Sequence, residues 1–188
     1  MNKDEVIAAT RLWLEKAVIG LNLCPFAKAV YVKNQVRFVV SEARHLDGFL
    51  EDLDRELDFL AAADPAEVDT TLLIHPDLLP DFLDFNDFMV IAEESVGEHG
   101  LEGIIQIASF HPAFQFADTE PEDIGNYTNR APFPTLHLIR EESLSRAVEA
   151  FPDAEGIYGR NIETLKKLGL GGWLALGLSK GKPEQPDS

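Results

Sequence analysis

The sequence predicts an α/β fold: a two-layer sandwich with a mostly parallel four-stranded sheet and about five helices. Three observations lead there. Segments whose apolar residues recur at helical spacing alternate with short segments of period-two spacing. Two strand–helix–strand units follow one another, and right-handed crossovers make at least three of their strands parallel. The strands also alternate instead of being apolar throughout: Leu136 and Leu138 oppose Thr135, His137 and Ile139, and Leu72 and Ile74 oppose Thr71, Leu73 and His75. A sheet with one apolar and one mixed face suits two layers, with the first and last helices available to cover the mixed face. Residues 1–178 are read as one domain, followed by a polar tail over 179–188.

Each element has its own signal. Over residues 4–19, Val6, Thr10, Trp13, Leu14 and Ala17 recur at helical spacing, and Gly20 is the expected stop. Pro25 disfavours helix at Cys24, so Asn22 to Phe26 is a turn. Ala29 to Val32 is expected as a short strand, and Val36, Phe38 and Val40 mark a clearer one. Residues 45–62 carry the strongest helical stripe, with Phe49, Leu53, Leu57 and Leu60 on one side. Thr70 to His75 is a strand. Residues 79–98 form a helix whose aspartates (Asp77, Asp81, Asp84 and Asp87) cluster where its dipole favours negative charge. Strands follow at 104–110 and 135–139, then a helix from Glu141 to Ala150. Asp153 is the expected N-cap of a helix through Leu168, with Gly169 just past its end.

The charge is uneven. The formal net charge is −17, and residues 56–129 hold 17 acidic residues with no Lys or Arg. Such a surface repels phosphate backbones, which argues against nucleic acid as a partner. It suits a solvated face, or one that meets a basic partner. The single cysteine, Cys24, admits no internal disulfide. The first residues lack a signal-peptide pattern, and no apolar run approaches the roughly 20 residues of a membrane span. A cytoplasmic location without membrane association is expected.

The stretch 109–139 is where a site is expected. Between Phe116 and Thr135 lie Pro121, Gly125, Pro132 and Pro134, which stop regular structure, and loops this long are often functional. Asn126, Thr128, Asn129 and Arg130 could cradle a carboxylate or phosphate under the 117–134 loop, with Arg140 a further cation close by. His111 is the expected general base, with His137 or Cys24 adjacent. A self-packed Ω-like loop is the plainer reading. Ile74-His75-Pro76 and Phe110-His111-Pro112 end two strands alike, so His75 and His111, with Asp77, could be metal ligands. No close ligand spacing supports a metal, and strand-end histidines more often make a structural hydrogen bond. Cys24 in Cys24-Pro25-Phe26-Ala27 is either a reactive thiol or a small buried hydrophobe.

Gly20-Leu21-Asn22-Leu23-Cys24-Pro25-Phe26-Ala27, Ser109-Phe110-His111-Pro112 and the stretch from Asn126 to Glu142 resemble signature segments of a bacterial family, domain of unknown function 1415. The resemblance implies a single compact domain and brings no activity, cofactor or catalytic residue with it. The sequence therefore supports two functions. One is an enzyme or ligand-binding domain for a small anionic molecule, with its site under the central loop. The other is a non-catalytic protein-binding or oligomerisation module using the acidic 56–129 surface. The cofactor and the oligomeric state are left open.

Overall fold

The computed structural model describes residues 1–150 and 156–178. The chain runs through helix α1 (Lys3–Trp13), which continues as a π-helix (Leu14–Ile19), then α2 (Ala27–Val32), β1 (Val36–Val40), α3 (Leu46–Ala62) and β2 (Thr70–Ile74). It goes on through α4 (Phe82–Glu98), β3 (Ile105–Phe110), a 3-10 helix (Ile124–Asn129), β4 (Thr135–Arg140), α5 (Glu141–Glu149) and α6 (Ile157–Ala175). Among the described residues, no helix is long and apolar enough to cross a membrane.

The sheet order is β1-β2-β4-β3, with β1 and β2 parallel and β4 antiparallel to both β2 and β3. The α/β class and the four strands are as expected, but the sheet is mixed, not mostly parallel. The physical reason lies in the last connection. β1, β2 and β3 do run in one direction, as serial strand–helix–strand units require. After β3, however, the chain turns back through the 111–134 loop and inserts β4 between β2 and β3. One parallel and two antiparallel pairings result.

The sheet is covered on both faces, which corrects the two-layer expectation. On the first face, α3 and α4 bury Phe49, Leu53, Leu57, Leu60, Phe85, Phe88 and Ala92 against Leu73, Ile105, Leu136 and Leu138. This is the stripe that the spacing in 45–62 announces. The mixed face takes the other helices. Val6 of α1 packs on Leu72, Ile74 and Phe133, while Trp13, Leu14, Ala17 and Val18 cluster with Leu165 and Trp173 of α6 and reach Phe38 and Phe110.

Local chemistry explains most element ends. Asn2 caps α1 reciprocally with Glu5, each side chain bonding the other's backbone amide at 2.8–3.0 Å. Asp81 caps α4 by accepting the amides of Leu83 and Asp84. Gly20 ends the π-helix, where a Cβ would lie 2.3 Å from the Lys16 carbonyl oxygen. Ala29 to Val32, expected as a strand, belongs to helix α2. Val30, Tyr31 and Val32 favour a strand by propensity, but that preference yields to context, and the turn at Pro25 feeds directly into a helical start at Ala27. Gly169 has φ +66° and breaks α6 where the sequence marks a stop, though helix resumes to Ala175. The Asp153 cap and the 179–188 tail lie outside the described residues.

Candidate functional site

A cavity of about 400 Å³ lies on the mixed face. Its floor is the sheet: Val36 of β1, Thr70 and Leu72 of β2, His137 and Ile139 of β4, and Phe110 of β3. The π-helical end of α1 contributes Trp13, Leu14 and Val18 to one wall. A π-helix is the kind of irregularity that tends to accompany functional sites. The Cys24–Phe26 turn and α2 form a second wall, and Leu144 and Ala147 of α5 form a third.

Two sequence candidates meet there, His137 and Cys24. Period-two alternation sends His137 to this face while Leu136 and Leu138 fill the α3–α4 core. Its Nε2 lies 2.6 Å from Thr70 Oγ1, which is also 2.6 Å from the Leu138 carbonyl oxygen. Burial pushes the His137 pKa down to about 4. Burial likewise raises the Cys24 thiol above its ordinary value, against a smaller lowering by the amides of Phe26 and Ala27. Nucleophilic sulfur chemistry runs through the thiolate, and Cys24 is held on the protonated side. Trp13 stacks edge-on with Phe110 at 5.2 Å and donates from Nε1 to the Arg130 carbonyl at 2.9 Å, which ties the cavity wall to the central loop.

The other candidates lie elsewhere. His75 and His111 sit at the carboxyl ends of β2 and β3, as expected, but β4 separates those strands. Both rings bind backbone in the same way. In His75, Nδ1 accepts the amides of Asp77 and Leu78 while Nε2 donates to the Ala43 carbonyl. In His111, Nδ1 accepts the Ala113 amide while Nε2 donates to the Leu79 carbonyl. The His111 ring also packs against Phe82 and Phe85 on the α4 side of the sheet and is fully buried. The ring is thus a clasp for the His-Pro turn, with both nitrogens occupied. Among the described residues, no group of three His, Cys, Asp or Glu side chains could hold a metal ion.

The central loop uses its polar groups on itself. Asn126 is fully buried, accepting from Phe116 N and Thr119 Oγ1 and donating to Glu120 O. Asn129 donates to the Ser109 carbonyl. Arg130 donates to the carbonyls of Phe114 and Pro121, and its guanidinium lies 4.2 Å from the centre of the Tyr127 ring. The Thr128 hydroxyl is buried without a hydrogen-bond partner. Arg140 reaches the α3 side, where it donates to the carbonyls of Ala63 and Val68. None of these five side chains lines the cavity. The sequence reading passed over Thr70, Trp13 and Phe110 as site residues. The usable signal was parity: Thr70 and His137 belong to the mixed face that the strand alternation marks.

The low pKa of His137 has a measurable consequence. Unfolded, the ring titrates near 6.5; folded, near 4. Between these values the unfolded chain binds the proton and the native chain does not. This contribution is therefore intact above pH 6.5 and is lost as the pH falls towards 4, by about 3 kcal/mol in all. The His75 pKa is lowered by burial too and acts in the same direction. Urea unfolding of wild type and His137→Gln across this range should show a clearly shallower pH slope for the variant. Equal slopes would mean that the native ring is not desolvated.

The fold and cavity define a three-layer α/β domain with a mostly apolar chamber between its sheet and its second helical layer. The family model for proteins of unknown function, DUF1415, matches residues 5–175, and the chain belongs to that family. No curated protein and no solved structure matches it.

Proposed function

We propose that this protein is a small-molecule-binding domain whose ligand is a largely apolar compound seated between the sheet, α2 and α5. The observation that carries the reading is the state of the cavity's two short helical walls. Neither α2 nor α5 buries a single residue, although Val30, Leu144 and Ala147 face the cavity. Half-buried apolar side chains around a chamber of about 400 Å³ gain burial when a ligand fills it, and this volume lies in the range of ordinary ligand sites. The anionic ligand expected from the sequence finds less support. Arg130 and Arg140 are engaged with backbone carbonyls, and no Lys or Arg among the described residues lines the cavity. Binding is favoured over covalent catalysis because the Cys24 thiol stays protonated.

The test is a titration with the neutral fluorescent probe N-phenyl-1-naphthylamine. One saturable site is expected. Ala27→Trp and Ala147→Trp, which fill the cavity from its α2 and α5 walls, should each abolish it while urea unfolding stays cooperative. Non-saturable emission, or wild-type binding in both variants, would overturn the reading.

A further inference from the structure

We propose that the cavity selects a neutral ligand that offers a hydrogen-bond donor, a hydroxyl or N–H on an otherwise apolar skeleton, to Nδ1 of His137. This rests on the reading of the cavity as a ligand site. The proton count at Thr70 carries it. The Thr70 hydroxyl has one proton and two neighbours at 2.6 Å, the Leu138 carbonyl oxygen and His137 Nε2. A carbonyl oxygen can only accept, so the hydroxyl proton belongs on Leu138 O. Were Nε2 unprotonated, the threonine oxygen would face a second acceptor with no proton left to share. The arrangement is satisfied when Nε2 carries the ring proton and donates to Thr70 Oγ1.

A neutral imidazole has one N–H, so Nδ1 is then a bare acceptor. Thr70 is 7% exposed and lies on the floor between β2 and β4, so the sheet itself fixes this tautomer. No described residue donates to Nδ1, in contrast to the rings of His75 and His111, whose Nδ1 atoms accept backbone amides. His137 is the one histidine of the three that lines the cavity. Its low pKa keeps the lone pair available at neutral pH.

The rest of the lining excludes charge. Among the described residues, Asp69 is its one ionic side chain; it accepts a 2.6 Å hydrogen bond from Ser143 and would repel a carboxylate or phosphate. A ligand without a donor leaves Nδ1 unpaired in an apolar chamber, and an anionic one also loses its hydration with no cation to meet it.

Three compounds on one skeleton separate these cases: naphthalene, 2-naphthol and 2-naphthoate, each competed against N-phenyl-1-naphthylamine on the full chain. 2-Naphthol should displace the probe at about tenfold lower concentration than naphthalene, with 2-naphthoate the weakest of the three. His137→Phe should erase the naphthol advantage while naphthalene still competes. In case that variant misfolds, imidazole ¹⁵N spectra of the wild type provide a second measurement. Nδ1 should be the unprotonated nitrogen, and its resonance should move with 2-naphthol and not with naphthalene. Equal competition by naphthol and naphthalene, an advantage that survives His137→Phe, preferred binding of naphthoate, or a proton on Nδ1 would each overturn the proposal alone. A chain that binds neither probe nor competitor overturns the ligand-site reading and this proposal with it.

Discussion

Phe49→Ala is expected to destabilise the fold by about 3–5 kcal/mol. Phe49 is fully buried on α3, stacked on Phe88 of α4 at 5.1 Å and set edge-on against the His75 ring at 5.0 Å. It therefore joins two helices to the turn that ends β2. Truncation removes the apolar contacts of a large ring and leaves a hole that none of these elements can close independently. Phe59 provides the contrast. It lies on the same helix but is 40% exposed, with the Arg37 guanidinium 4.2 Å above its ring. Phe59→Ala should cost about 1 kcal/mol, chiefly the cation–π contact and part of a side chain's burial. Urea unfolding of both variants checks the pair. Similar costs would mean that the α3–α4 face is not the closely packed core described here.

Asn126→Ala should cost about 1–3 kcal/mol, because it removes a fully buried side chain, leaves the Phe116 amide without its partner, and takes one of two hydrogen bonds from the Thr119 hydroxyl and the Glu120 carbonyl. Asn126 Oδ1 accepts from Phe116 N and Thr119 Oγ1, both at 2.9 Å, and Nδ2 donates to Glu120 O at 2.8 Å. Water can re-pair some of these groups only if the loop loosens, so the loss should appear as local opening before global unfolding. Limited proteolysis should cut within 117–123 in the variant under conditions where wild type survives. Asn126→Asp keeps the acceptor, loses the donor and places a carboxylate against the Glu120 carbonyl, so it should not rescue. A variant as protease-resistant as wild type would show that Arg130 and the Trp13–Arg130 bond hold the loop without Asn126.

These two residues also show what could be read in advance. Phe49 belongs to a stripe repeated over four turns of α3, and a long periodic pattern is robust because every turn repeats the same information. Asn126 stands out in the sequence as a candidate ligand-binding residue within an aperiodic loop. Composition alone could not say whether its amide faces a ligand or the loop's own backbone. That choice depends on Phe116, Thr119 and Glu120, which no spacing rule links to it. His111 and His137 flank the same loop and look alike in sequence, yet they lie on opposite faces of the sheet. Parity within each strand separates them only once register is known, and register here depends on where β4 inserts. The Ala29–Val32 segment failed for another reason: four residues carry too little pattern to overcome what their neighbours impose.

The position of β4 bears on how the protein is made. β2 and β3 share no backbone hydrogen bond, and both pair with residues 135–140. A nascent chain that has left the ribosome only as far as residue 134 already holds every residue of α3, α4 and three strands. It nevertheless has no native strand partner for β3 and leaves β2 with one open edge. The last described strand to be synthesised is the one that completes the sheet, so residues through Arg140 must be out of the exit tunnel before β3 has any native strand partner. Until then two unpaired edges are available to other chains, the situation that chaperones exist to shield.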